Sequence, residues 1–254
     1  MKKLLAITAL SAALFFGQTA VAEEKAAEEV KPSHVEMVLV LDESGSMSNL
    51  TNDTIGGFNS MIEKEKKLDV DAHVTTVLFN DQYKMLYNRR ELKDVRKMTD
   101  KDYTPGGMTA LLDAVGRTIH KMDMVSGIHR KDKGNKVLFV IITDGEENDS
   151  KEYTYADVKK LIKDRQENAG WEFIFLGANI DAAAAAENLG IDRDRAVKYK
   201  NTGSGVRANF KAVAELSDSL AKSGRVSDRW KETVEKDEDD AADKQSAAVT
   251  SHRR

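Results

Sequence analysis

The sequence contains no cysteine, which excludes a disulfide scaffold, a thiolate metal site and a cysteine nucleophile. It has no basic excess either. The 39 Lys and Arg residues stand against 43 Asp and Glu, a net charge of −4, so the charge balance does not favour binding to nucleic-acid phosphates. Long apolar runs are scarce: the one at residues 4–16 is short for a bilayer span, and no second one follows. What remains is globular in composition, 41% hydrophobic and 32% charged over 254 residues. That length accommodates one large domain or two small ones.

The single apolar run reads as an address. Lys2 and Lys3 precede it, and Ala20-Val21-Ala22 follows as a small-residue cleavage site before Glu23 and Glu24. Residues 1–22 are therefore expected to be a signal peptide, giving an exported chain, periplasmic or secreted, with no membrane span after cleavage. Without a cysteine there is no attachment point for a lipoprotein anchor. Loss of Lys2 and Lys3 leaves 37 basic against 43 acidic residues, a net charge of −6. Residues 23–33, rich in Ala, Glu and Lys, predict a flexible lead-in.

From 34 to 222 the pattern is that of an α/β domain. Short β-branched runs at 35–41, 74–79, 137–142 and 173–176 are nearly continuous in apolar residues, as parallel strands covered on both faces must be. Helical spacing lies between and after them: Ile55, Phe58 and Ile62; Leu111, Val115, Ile119 and Met122; Val158, Leu161 and Ile162; Val206, Phe210, Val213 and Leu220. This alternation predicts a doubly wound, Rossmann-like, mostly parallel sheet with helices on both faces. Residues 83–87 predict an antiparallel edge strand, turned back on the preceding one at Asn80-Asp81. The alanines 182–186 after Asp181 predict a short capped helix. Residues 223–254, dense in charges of both signs from 228 to 244, predict a disordered or partly helical tail.

Three strings carry chemistry. The first buried strand ends at Asp42 and is followed by Ser44 and Ser46 in a glycine-containing loop. A second ends in Thr143-Asp144-Gly145. Between them, a turn containing Gly106 and Gly107 delivers Thr109 to the start of a helix. Strand ends of such sheets line the rim where ligands bind. Two carboxylates and three hydroxyls, with no soft ligand, suit a hard divalent cation such as Mg2+, Mn2+ or Ca2+ and not Zn2+. Asp113, one helical turn after Thr109, could orient the loops from behind, or simply cap or solvate its helix. Glu146, Glu147 and Asp149 crowd the rim, as a solvated loop or as tuners of partner choice. Asn179 and Asp181 follow the later strand, where capping is the favoured role.

Asp42-x-Ser44-x-Ser46, Thr109 within Gly-Gly-x-Thr-Ala-Leu-x-Asp-Ala, and Asp144 in Thr-Asp-Gly together resemble the von Willebrand factor type A (VWA) domain. They match its metal-ion-dependent adhesion site (MIDAS) position by position. The stretch from Trp171 to Asp181 resembles the stand-alone bacterial members, and the likeness spans roughly 34–220. It implies that Ser44, Ser46 and Thr109 meet one divalent ion, Mg2+ or alternatively Mn2+ or Ca2+, through hydroxyls. Asp42 and Asp144 would then hold coordinating waters, one of them sometimes binding directly. A protein partner would supply an Asp or Glu carboxylate to the ion.

Neutral hydroxyls leave such an ion under-neutralised, so an incoming carboxylate gains a strong charge-assisted contact. The expected function is thus a non-enzymatic, metal-dependent protein-binding module. A metal-assisted hydrolase is the alternative from another class, but no histidine falls near the predicted strand ends of the motif, and no Ser-His-Asp order or phosphate loop is present. An accessory subunit of a larger complex is the third reading, and a metal that merely holds loops together is the plainest one.

Overall fold

The computed structural model describes residues 34–125, 135–227 and 229–237. The expected signal peptide at 1–22, the lead-in at 23–33 and the tail from 238 lie outside the described residues. Every residue of β1 (Val35–Asp42) is buried, which explains the unbroken apolar run from Met37 to Leu41. Alternate residues serve two cores. Met37, Leu39 and Leu41 pack with Phe58, Met61 and Ile62 of α1 (Thr51–Lys67) and Val206, Phe210 and Val213 of α5 (Gly203–Ser223). Val38 and Val40 face Leu112, Val115 and Ile119 of α2 (Leu111–Asp123), Val158 and Ile162 of α3 (Tyr155–Asp164), and Ala186 and Leu189 of α4 (Ala182–Leu189).

The sheet has six strands in the order β3-β2-β1-β4-β5-β6. β2 (Ala72–Phe79), β4 (Lys136–Thr143), β5 (Glu172–Ala178) and β6 (Ala196–Tyr199) run parallel along the sheet with β1. β3 (Tyr83–Glu91) alone runs antiparallel, on β2, with Phe79 opposite Tyr83. The fold is therefore the doubly wound sheet with one antiparallel edge strand. β1 leads outward to β2 on one side and β4 to β5 on the other, so their neighbouring carboxyl ends form the switch point at which such sheets open a crevice.

Local signals agree with this frame. Thr154 and Asp157 close a capping box on α3, and Asp181 accepts the Ala184 N–H at the start of α4 at 3.0 Å. Packing continues past residue 222, where the sequence pattern fades. Val226, Trp230 and Val234 are buried in the same core as α5, and Trp230 Nε1 donates to the Asp194 carbonyl at 3.3 Å. Burial against this core thus continues to Val234. Among the described residues no helix is long and apolar enough to cross a membrane.

Candidate metal centre

Asp42 and Asp144 reach the switch point because the one ends and the other follows a strand that is buried on both faces. Both are themselves buried, at 1% and 2% exposure. Asp42 accepts the Ser44 backbone N–H on Oδ1 at 2.7 Å and the Thr143 hydroxyl on Oδ2 at 2.6 Å. Asp144 accepts the Ser46 hydroxyl on Oδ1 at 2.5 Å and the Asn201 amide on Oδ2 at 3.0 Å. The Ser44 and Ser46 hydroxyls lie 3.0 Å apart. One chain of oxygens therefore links Ser44, Ser46 and Asp144, and the Ser44 backbone ties Asp42 to it.

Thr109 is brought in by a loop fastened to the end of β1. The Gly45 N–H donates to the Gly107 carbonyl at 3.2 Å, and the Gly106 N–H to the Glu43 carbonyl at 2.9 Å. Tyr103 donates its hydroxyl to the Asp42 carbonyl at 2.6 Å, and Asn80 Nδ2 donates to the Gly106 carbonyl at 2.8 Å. Gly107 has φ +77°, and a Cβ on it would lie 1.9 Å from Asp81 Oδ1, so a side chain here would be strained and would have to push Asp81 aside. The Thr109 N–H donates to Asn148 Oδ1 at 2.8 Å and its carbonyl accepts the Asn148 N–H at 3.0 Å. A Cβ on Gly145 would stand 3.7 Å from Thr109 Oγ1 and 3.9 Å from Ser46 Oγ. The glycine thus borders the space between the two hydroxyls.

The electrostatics of this cradle are one-sided. Among the described residues neither Asp42 nor Asp144 has a Lys, Arg or His ion-pair partner, and the donors that satisfy them are neutral. Burial raises the Asp42 pKa, hydrogen bonds from Ser44 and Thr143 oppose that, and the charge of Asp144 adds to it. The Tyr103 and Tyr199 phenols are pushed up by burial and also by the charges of both aspartates. Two buried carboxylates without a cation are costly, and a hard divalent ion held by the three hydroxyls would relieve that cost. The donor set fits such an ion.

The remaining sequence candidates are placed elsewhere. Asp113 accepts the backbone N–H groups of Lys151, Glu152 and Tyr153, each at 2.9 Å, and so fastens the segment after Asp144 to α2. Glu146 is exposed on the rim. Glu147 accepts the Leu112 N–H at 3.0 Å and the Asp149 and Ser150 N–H groups at 3.0 and 2.7 Å, which makes it a loop anchor. Asp181 caps α4, while Asn179, at φ +55°, donates to the Asp144 carbonyl at 3.5 Å. Sequence reasoning missed Asn148, Asn201 and Tyr103. Only Asn148 had a signal, its place in the loop after Asp144.

The family profile for the vWA found in the TerF C terminus matches residues 34–190. Among curated proteins none matches the chain. Solved structures share the fold at low identity. The pilus adhesin SpaC from Lactobacillus rhamnosus GG is 14% identical, with a TM-score of 0.59 over 76% of this chain and 31% of that one. The vWF domain of the type V pili tip protein Mfa5 from Porphyromonas gingivalis is 12% identical, with a TM-score of 0.53 over 78% of this chain and 99% of that one. The PilB minor pilin from Streptococcus sanguinis is 11% identical, with a TM-score of 0.53 over 74% and 62%. This chain therefore spans about a third of the adhesin's length.

Proposed function

The chain belongs to the vWA family of the kind found in the TerF C terminus, and on that premise we propose that it is an exported, non-enzymatic binding protein. Its contact with a protein partner runs through one divalent cation at the switch point of the sheet. Ser44, Ser46 and Thr109 would hold the ion through their hydroxyls, with Asp42 and Asp144 supplying charge directly or through water. Bound there, the ion would supply a coordination position for an Asp or Glu carboxylate from the partner.

The observation that carries this reading is the pair of buried carboxylates, without an ion-pair partner among the described residues, set among three hydroxyls. Met108, half exposed next to Thr109, offers an apolar contact beside the carboxylate. Export rests on the pattern of residues 1–22. The fold is shared with a pilus adhesin, a pilus tip protein and a minor pilin, which supports a role in binding proteins. The described histidines favour binding over hydrolysis, since His34 and His73 lie at the opposite ends of their strands and His120 is exposed on α2.

The test is calorimetric titration of Mg2+ and Mn2+ into residues 23–254, followed by capture of envelope or culture proteins on the immobilised chain with Mg2+, with chelator and with Thr109→Ala. One saturable equivalent of metal, and a partner lost under both perturbations, is the expected result. Absence of saturable binding would sink the metal reading. Retention of the same proteins under all three conditions would show that the contact lies elsewhere.

A further inference from the structure

The opposite rim of the sheet carries a second cluster. His34 immediately precedes β1, and Glu36 on β1 is the register partner of His73 on β2. Three atoms converge there. His34 Nε2 lies 3.3 Å from Glu36 Oε1 and 2.9 Å from His73 Nδ1, and His73 Nδ1 lies 3.2 Å from the same carboxylate oxygen. We propose that His34, Glu36 and His73 form a second divalent-cation site, suited to a borderline metal such as Zn2+ and independent of the oxygen site at the other rim.

The triangle has the size that such an ion requires. With Zn–N and Zn–O bonds of about 2.0–2.1 Å, the edges of a tetrahedron come to about 3.3 Å, close to all three separations. Two imidazole nitrogens with one carboxylate, and a position left for water, is a donor set that zinc takes, whereas Mg2+ prefers oxygen alone. His34 turns its other nitrogen, Nδ1, to Asp71 Oδ1 at 3.0 Å. That contact holds the ring with Nε2 facing Glu36 and His73, so that an ion displacing the Nε2 proton would meet a ligand nitrogen backed by a carboxylate. Both imidazoles are partly exposed, at 19% and 27% of the side chain, so an ion has a route in.

Glu36 is buried at 2% exposure, and Arg89 already orients its carboxylate. Arg89 shares the cluster, with Nη2 at 2.5 Å from Glu36 Oε1 and 3.2 Å from His73 Nδ1, and Nε at 3.0 Å from Glu36 Oε2. Its guanidinium is a third exposed and rises from the irregular stretch of the β2–β3 pairing. An arriving ion would displace Nη2 from Oε1 while Nε keeps Oε2, leaving Arg89 to orient the carboxylate from outside.

The experiment is titration of Zn2+ into residues 23–254 in excess Mg2+, with Co2+ as a spectroscopic substitute and imidazole NMR resonances as the positional readout. The expected result is one saturable equivalent, tetrahedral Co2+ bands, and shifts confined to His34 and His73. Affinity should fall at least tenfold in His34→Ala and in His73→Ala, and stay unchanged in His120→Ala and Thr109→Ala. Absence of saturable binding, or shifts centred on other histidines, would overturn the proposal. The NMR readout needs no substitution, so it decides the matter even if a variant fails to fold.

Discussion

The two ends of β1 bury carboxylates and treat them in opposite ways. At the amino end, Glu36 is neutralised within the chain by Arg89 and flanked by two imidazoles, and its pKa is brought down. At the carboxyl end, Asp42 receives only neutral donors, sits near a second buried aspartate, and has its pKa raised by burial. The difference is one of charge closure. The lower rim is balanced without help, so a metal there must compete with a cation already in place. The upper rim is left negative, so it favours a cation from outside. The strand is the same, and the donors at its ends are nitrogen with oxygen at one and oxygen alone at the other. Selectivity between borderline and hard ions would follow from that alone.

The strongest test of this contrast damages the platform that both rims share. Phe210 is buried on α5, edge-to-face with Phe58 at 6.2 Å and pressed against Gly57, where a Cβ would lie 2.5 Å from its ring. Phe210→Ala should cost about 3–5 kcal/mol through lost burial and a cavity, read as a lower urea midpoint. Metal titrations well below the melting temperature should show neither rim weakened. If one affinity collapsed with the core, the two rims would not be independent.

Next in size is a pH effect that belongs to neither rim and has to be subtracted before either is studied. Glu65 on α1 is fully buried against α5. Its Oε2 accepts the Ser217 hydroxyl at 2.8 Å, and its Oε1 has no hydrogen-bond partner among the described residues. Burial raises its pKa to about 7, with Asp218 adding and Lys64 and Lys222 opposing. Because the folded value lies above the ordinary 4.5, the stabilisation is fully present below pH 4.5 and is lost as pH rises through 7. The loss is on the order of 3 kcal/mol. Denaturation at pH 4.5 and pH 8 should show that decline in the parent chain and not in Glu65→Gln. An equal decline in both would assign the pH dependence to another group.

What could be read from the sequence follows from how local each signal is. β1 and β4 were legible because a strand covered on both faces carries a continuous apolar run, and the polar residues that end it must lie on the rim. That reasoning puts Asp42 and Asp144 on one rim of the sheet. β6 left no comparable trace: it is four residues long and includes the exposed Lys198. Asn201, which touches Asp144 across 57 positions, sits in a loop whose composition says nothing about its neighbour. Trp230 and Val234 were hidden by the charges around them, since two large side chains suffice to anchor a segment that is otherwise solvated. Asp113 was ambiguous in sequence because one helical turn from Thr109 is compatible with either of two directions; its carboxylate turns toward the 151–153 backbone.

That direction yields a smaller effect confined to the upper rim. Asp113→Ala would strip three backbone N–H groups of their acceptor and should cost about 2 kcal/mol, with the loop after Asp144 losing protection in hydrogen exchange. Burial works to raise the Asp113 pKa, yet the three N–H groups outweigh it and hold the pKa below its ordinary value. Its stabilisation is therefore present above that value and is lost as pH falls through the folded one. Loss of protection at the His34–His73 end as well would blur the contrast between the rims.

The finest test separates holding the fold from holding the site. Asn148 grips Thr109 twice, accepting its N–H on Oδ1 and donating its own backbone N–H to the Thr109 carbonyl. Asn148→Ala removes only the side-chain half. The main-chain bond survives and Asn148 is exposed, so stability should change by less than about 1 kcal/mol. Thr109 would nevertheless be free to drift, and a ligand hydroxyl released by an outer partner should weaken Mg2+ binding about tenfold, with Zn2+ binding at the lower rim unchanged. A chain that kept full Mg2+ affinity would mean that the anchoring of the loop to Glu43, Gly45 and Asn80 already fixes Thr109. The upper rim would then be as preorganised as the lower, and the contrast between them would reduce to charge alone.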